Sequence, residues 1–140
     1  MLVFCGLWTG GILIFAVERT NLWRRMPVAQ YAVDFRRSLY RVDPLMPILG
    51  IITAVAAAVF ASHCGHSARI LAWMGVILDA LVIVISITIA EPINSKFRRL
   101  PEGQAPERAE HYRVVWRRFH YWRTVVALGA FGCLAAAAVT

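Results

Sequence analysis

Residues 70–90 read ILAWMGVILDALVIVISITIA, an apolar run that contains one charged side chain, Asp79. Its length matches the roughly 20 residues that a helix needs, at about 1.5 Å of rise per residue, to cross the hydrocarbon of a bilayer. A membrane barrel would instead need many short strands of alternating polarity, and the sequence contains no such pattern. The run therefore predicts a membrane-spanning α-helix.

Three further apolar blocks flank this run, at residues 1–17, 45–61 and 124–139. Because 59% of the 140 residues are hydrophobic and only 16% are charged, the composition excludes an ordinary water-soluble domain. We predict an all-α membrane protein, a single four-transmembrane-helix bundle that occupies the whole chain. Within this domain, residues 1–140, the helices are expected over about 1–23, 45–62, 69–91 and 106–139.

The first block is interpreted as a retained helix and not as a cleaved signal peptide. No basic segment precedes its apolar run, and no small-x-small cleavage site follows it. Since the apolar run begins at Met1, we expect either an N-terminus at the membrane surface or a true start further upstream.

Between the first two spans the apolar residues follow a different pattern, that of a helix with one apolar side. The apolar residues at helical spacing are Val28, Tyr31, Ala32, Phe35, Leu39 and Val42. The opposite side carries Gln30, Asp34, Arg37 and Arg41. The pattern predicts an amphipathic helix over about 28–42 that lies in the membrane interface and ends at Asp43-Pro44.

The fourth span begins with Pro106 followed by an acidic residue, and nothing interrupts its helical pattern up to Val139. A helix of that length is about 50 Å long, so its first half is expected to extend beyond the bilayer into the cytoplasm. In the preceding segment, Pro92 is expected to kink or end the third span near residue 91, leaving residues 95–105 irregular.

The net charge of +7 is unevenly distributed along the chain. All but one of the 15 lysine and arginine residues lie in or beside the first and third connections, and only Arg69 lies near the second. Because this asymmetry follows the positive-inside rule, we expect both termini outside and the two basic connections in the cytoplasm of a bacterial inner membrane. The arginines then serve topology and lipid contact, and no nucleic-acid partner is expected.

The three cysteines, Cys5, Cys64 and Cys133, show no motif spacing. All three are expected near the outer half of the membrane, and this placement is compatible with a disulfide between two of them. The turn at residues 63–66, HCGH, contains metal-binding residue types but lacks the four ligands of a structural metal site. We therefore expect no metal there.

Polar and ionisable side chains recur at one depth, the cytoplasmic edge of three spans. They are Glu18 in the first span, Glu91 and Asn94 in the third, and Trp116, His120 and Arg123 in the fourth. Within each span their spacing of three or four residues places them on one helix face, and these faces can meet at a cavity. Such a group could abstract a proton and stabilise the resulting anion. The alternative is that these side chains only anchor helix ends at the interface.

Asp79 lies in the middle of the third span, where an unpaired charge is costly. It is expected to be protonated, paired, or directed at a polar cavity, which makes it a functional candidate. The alternative is a hydrogen bond to a neighbouring helix, for instance to Thr53 or Thr9.

Four short motifs follow one another along the chain. They are Gly6-x-x-x-Gly10, Asp43-Pro44-Leu45-Met46-Pro47, Pro92-Ile93-Asn94 and Trp116-x-x-x-His120-x-x-Arg123. In this order they resemble the anthrone-oxygenase-like family of small four-helix membrane proteins from bacteria and fungi, most of which are of unknown function. The similarity covers nearly the whole chain.

The resemblance implies a membrane-embedded oxygenase that oxidises a phenolic, anthrone-like substrate with O₂ and uses no cofactor. Its partners are then the lipid bilayer and a hydrophobic aromatic small molecule. We expect His120 to act as the base, with Glu91 or Glu18 orienting it. The remaining predicted site residues are Arg123 and Asn94, which would hold the oxyanion, and Trp116 and Asp79, which would bind the substrate.

Two alternatives stay open. The chain could be a non-catalytic accessory subunit that packs against a larger membrane complex through the Gly6 and Gly10 face, although these glycines are also common in ordinary membrane helices. It could instead be a heme- or metal-binding redox protein that uses His120 with His111 or the carboxylates. Self-association, or membership of a membrane complex, is expected in any case.

Overall fold

The computed structural model describes residues 1–42 and 44–140, and this part of the chain consists of helices, turns and no strand. The helices are α1 (Leu2–Arg25), α2 (Val28–Arg41), α3 (Leu45–His63), α4 (His66–Arg98) and α5 (Ala109–Ala138). All of them except α2 are long and apolar enough to cross a membrane. The predicted all-α bundle with four spans is thereby confirmed. The predicted end of the interfacial helix at Asp43 lies outside the described residues.

The four spans form a closed ring in which each one packs against two neighbours. The order around the ring is α1, α3, α4, α5, and the most extensive contact joins α4 to α5. Large apolar side chains cover the outside, among them Val3, Ile77 and Val125, each of which is more than half exposed. A bundle with apolar residues on its outer surface is suited to a lipid environment.

Three glycines allow close helix contacts in the ring. A Cβ atom at Gly75 would lie 2.6 Å from Cγ of Leu134, one at Gly11 would lie 2.8 Å from Cε of Met46, and one at Gly50 would lie 3.0 Å from the ring of Trp8. The Gly6 and Gly10 face is looser, because a Cβ at Gly10 would meet nothing within 4 Å. The tight packing of α4 on α5 therefore depends on Gly75.

The amphipathic helix α2 turns its apolar side toward the protein and not toward lipid. Tyr31 and Phe35 are fully buried against Trp23, Phe97 and Trp116, with ring centroids 4.8 to 5.9 Å apart in the contacts that join these side chains. Burial raises the pKa of the Tyr31 phenol, so this side chain stays neutral. As a result, α2 covers one end of the bundle, which we call the basic end because it also carries the arginine-rich connection between α4 and α5.

Asp34 fixes α2 to the end of α1. Its carboxylate accepts a hydrogen bond of 2.6 Å from the indole nitrogen of Trp23 and one of 3.2 Å from Arg19. These charge-assisted bonds set the position of α2 over the bundle.

Two spans contain a wide, π-helical turn near the basic end, at Phe15–Arg19 in α1 and at Ser86–Ala90 in α4. The second explains why α4 does not end near residue 91 but continues to Arg98. Pro92 is the second residue after the wide turn and therefore lies in the first turn of a new α-helical stretch, where its missing N–H costs little. At the other side of the connection, α5 begins at Ala109, after a turn in which the Ala109 amide donates to the Pro106 carbonyl.

Candidate functional site

A cavity opens between the spans at the level of the two π-helical turns. Its main chamber has a volume of about 180 Å³ and is bounded by all four spans. Most of the wall is apolar: Trp8, Ile12, Met46, Pro47, Gly50, Ile51, Ile83, Ile87 and Ala90. The polar wall residues are Ser86, Glu91, Asn94 and Arg123. π-helical turns are frequent at functional sites because they redirect side chains and leave backbone groups available.

A smaller chamber of about 40 Å³ lies beneath α2 and shares Asn94 and Arg123 with the main one. Ser38 from α2, Phe15 from the first wide turn and Trp116 complete its polar and aromatic wall. The covering helix α2 therefore contributes to the site as well as to the core.

The mouth of the main chamber faces outward between α3 and α4. Ile51 and Ile87 line the chamber, yet they are 57% and 63% exposed on the outside of the bundle. Since that surface is the apolar one, the mouth is open to the acyl-chain region.

His120 lies behind the polar end of the cavity and is fully buried. Its Nε2 is 3.0 Å from the carbonyl oxygen of Ile12, and its Nδ1 is 2.8 Å from a guanidinium nitrogen of Arg123. Because a carbonyl only accepts, Nε2 carries the proton, and the Nδ1 lone pair accepts from Arg123. Both ring nitrogens are thus occupied, and the neutral imidazole holds the Arg123 side chain at the cavity wall.

The Ile12 carbonyl lies just before the wide turn in α1. It accepts from the Phe15 amide of its own helix as well as from the His120 side chain of α5.

Trp116 links His120 to Asn94. Its indole stacks on the imidazole, with centroids 4.7 Å apart and planes 12° apart. Its Nε1–H donates to Oδ1 of Asn94 over 3.2 Å, which leaves the Asn94 amide hydrogens for other acceptors. Asn94 is 5% exposed and lines both chambers.

Glu91 is the carboxylate on the cavity wall. One of its oxygens accepts a hydrogen bond of 3.1 Å from Ser95, and it also pairs with Arg98. Its side chain is about half exposed. A second carboxylate oxygen and the open surroundings leave Glu91 able to accept a proton from a bound molecule.

The structure thus brings together five of the predicted site residues and places two elsewhere. Those at the cavity are His120, Glu91, Arg123, Asn94 and Trp116. Glu18 lies on the outside of α1, where it pairs with Arg19 at 3.1 Å. Asp79 is fully buried in α4 and is not among the residues that line either chamber. The catalytic roles assigned to these residues from sequence stay predictions.

Several wall residues were not identified from the sequence, above all Trp8, Ile12, Met46 and Ser86. Three of them are apolar members of membrane spans, and nothing distinguishes them from lipid-facing residues. The sequence feature that could have identified Ser86 is its hydroxyl group, which lies shortly before Pro92 in an otherwise apolar helix.

No three His, Cys, Asp or Glu side chains within residues 1–42 and 44–140 come together as a metal site. His63 is exposed at the turn after α3, with Nδ1 2.9 Å from the Val59 carbonyl oxygen of its own helix. The cysteines Cys5, Cys64 and Cys133 are free thiols.

The fold and the site together define a class: a small membrane-embedded helical bundle with a cavity that opens on its apolar outer surface and has Arg123 and Asn94 at its polar end. A family model described as anthrone oxygenase matches residues 35–133, well over half of the chain. The chain therefore belongs to the anthrone oxygenase family. The matched stretch includes Glu91, Asn94 and the three site residues of α5, but not Glu18. Comparison with curated proteins and with solved structures finds no match.

Proposed function

We propose that this protein is a membrane-embedded oxygenase that uses O₂ to convert a flat phenolic substrate of the anthrone type into a quinone, without a cofactor. Family membership supports the reaction class. The observation that carries the proposal is the paired placement of Arg123 and Asn94 at the polar end of an apolar cavity.

The cavity suits an aromatic substrate from the membrane. A cavity of about 150 Å³ accommodates benzene, so the main chamber of about 180 Å³ holds the reacting end of a larger ring system. The remaining rings extend through the mouth beside Ile51 and Ile87 into the acyl chains. The ring carbonyl oxygen at the inner end then meets the donors of Arg123 and Asn94.

The reaction needs a base, an anion-binding site and a dry pocket. The base removes one proton from the activated ring CH₂ group, and the negative charge spreads onto the oxygen of the ring carbonyl opposite, which becomes phenolate-like. The electron-rich carbon then reduces O₂ and forms a C–O bond, and the resulting peroxide anion takes the proton back from the base to give a hydroperoxide. Loss of water from this group breaks the O–O bond and leaves a carbonyl, so CH₂ and O₂ become C=O and H₂O.

Four residues in or behind the cavity wall have roles in this reaction. Glu91 takes the proton, because it is the carboxylate that faces the chamber. Arg123 and Asn94 stabilise the oxyanion through charge-assisted and amide hydrogen bonds. His120 is a positioning residue, since its Nδ1 is used to hold Arg123. This departs from the sequence-based expectation that His120 is the base.

Substitution of Glu91 tests the proposal. Glu91→Gln should lower kcat by about 10²- to 10⁴-fold, as expected for loss of a general base. Glu102→Gln is the matched control, because Glu102 also pairs with an arginine, Arg37 at 3.7 Å, but is exposed and remote from the wall. Quinone formation would be followed by absorbance with protein in lipid nanodiscs. Equal activity of the two variants, or a wild-type rate no faster than spontaneous oxidation, would contradict the proposal.

A further inference from the structure

Three buried polar side chains from three different spans lie in the interior of the bundle, apart from the cavity. They are Thr9 in α1, Thr53 in α3 and Asp79 in α4, which are 3%, 0% and 0% exposed. None of them lines either chamber of the candidate site. They therefore have no part in the proposed reaction.

These side chains share one layer between two apolar clusters. One cluster contains Cys5, Ala57 and Leu134 with Val76 packed against it. The other contains Trp8, Ile12 and Val82 with Met46 and Leu49 packed against it. Along each helix the polar residue lies between members of the two clusters: Thr9 between Cys5 and Ile12, Thr53 between Leu49 and Ala57, and Asp79 between Val76 and Val82.

The polar atoms of this layer have no hydrogen-bond partner within the described part of the protein. This holds for both hydroxyl oxygens, Thr9 Oγ1 and Thr53 Oγ1, and for both carboxyl oxygens of Asp79. Burying such atoms without a partner is costly, and burying an unpaired carboxylate in a membrane is more so. The expected direct bond from Asp79 to Thr53 or Thr9 is not formed.

We propose that this layer is a binding site for a water molecule, which bridges a protonated Asp79 to Thr9 and Thr53. A carboxylic acid supplies one donor and one acceptor, and each hydroxyl supplies both, so one water can complete three or four hydrogen bonds here. A metal cation suits the layer less well. Hard cations take about six or more oxygen ligands, whereas the three side chains offer four oxygens.

Infrared difference spectroscopy of the protein in lipid bilayers at neutral pH tests this site. The difference spectrum of wild type minus Asp79→Asn should show the carbonyl stretch of a protonated carboxylic acid. In the Thr53→Val protein this band should shift, because one hydrogen bond of the bridge is lost. Thr88→Val is the control, because the Thr88 hydroxyl bonds to Val84 of its own helix and is exposed. It should leave the band unchanged.

The bridging water has its own signal. Wild type minus Thr53→Val should contain a water O–H band that shifts in water labelled with heavy oxygen. If Asp79→Asn does not fold, labelling the aspartates of the wild type with heavy carbon assigns the carbonyl band instead. Absence of the carboxylic acid band, stabilisation by sodium ions, or absence of the water band would each overturn the proposal.

Discussion

His120 shows how a buried side chain can serve a site that it does not touch. The Ile12 carbonyl fixes its tautomer, and the remaining lone pair directs the Arg123 guanidinium at the cavity wall. Trp116 stacks on the same ring and orients Asn94 from the other side. The two groups that would bind an oxyanion are therefore preorganised by one imidazole, which limits the reorganisation needed during the reaction.

This role predicts a difference between two substitutions of His120. His120→Gln keeps a donor for the Ile12 carbonyl and an acceptor for Arg123, so it should retain much of kcat. His120→Leu keeps neither and should lose about 10²- to 10³-fold in kcat, the usual effect of a misplaced oxyanion donor. Steady-state kinetics of the two variants decide the matter. If Gln is as inactive as Leu while both proteins fold normally, His120 is the base itself.

Gly75 allows a test of helix packing at a single atom. Gly75→Ala places a methyl group 2.6 Å from Leu134 Cγ and 3.2 Å from the Ala130 carbonyl oxygen, and overpacking of this kind costs about 1–3 kcal/mol. Gly10→Ala is the control, since nothing lies within 4 Å and the change favours a helix by up to about 1 kcal/mol. Thermal unfolding in detergent should show a lower Tm for the first variant only. A Tm at or above that of wild type for Gly75→Ala would contradict this packing.

At the scale of single residues, sequence spacing predicted part of the site. The four- and three-residue steps from Trp116 to His120 and Arg123 correctly place them on one face of α5. Spacing within one helix says nothing about a partner in another, so the bond from His120 to the Ile12 carbonyl could not be foreseen. Glu18 illustrates the same limit, because its position along the chain does not determine its direction around α1, and its side chain lies on the outside of that helix.

Among the elements, the two wide turns distinguish this bundle from four regular helices. Each adds a residue to one turn and so changes which side chains face inward on either side of it. In α4 the turn brings Ser86 and Glu91 to the cavity and Ile87 to its mouth. The long apolar runs predicted the spans. A shift of one residue hardly alters such a run, so the sequence contains no pattern that predicts the wide turns.

The mouth between α3 and α4 predicts where substrate enters. Ile87→Trp should obstruct it and lower kcat/KM for a lipid-dissolved anthrone, with the protein still folded. Ile77→Trp is a matched control, because Ile77 is in the same helix and equally exposed, at 63%, but does not line the cavity. Kinetics at several substrate-to-lipid ratios provide the measurement. Equal kcat/KM for both variants would argue for entry from the aqueous side.

For the molecule as a whole, the charge distribution predicts the orientation in the membrane. We propose that the basic end faces the cytoplasm, because all but one of the lysines and arginines lie in or beside the connections at that end. In a variant whose only thiol is Cys64, at the turn between α3 and α4, intact cells should then react with a membrane-impermeant maleimide. A single thiol introduced as Gln104→Cys, in the opposite connection, should react only after permeabilisation. The reverse pattern would overturn the orientation.

The most direct measurement of the proposed reaction follows the oxygen atoms. Purified protein in nanodiscs would convert an anthrone under O₂ labelled with heavy oxygen, and the quinone would be analysed by mass spectrometry. We expect one labelled atom in the new carbonyl of each quinone, at a rate well above that of the Glu91→Gln protein. A new carbonyl oxygen that comes from solvent, or a labelled product formed no faster than without protein, would contradict the oxygenase.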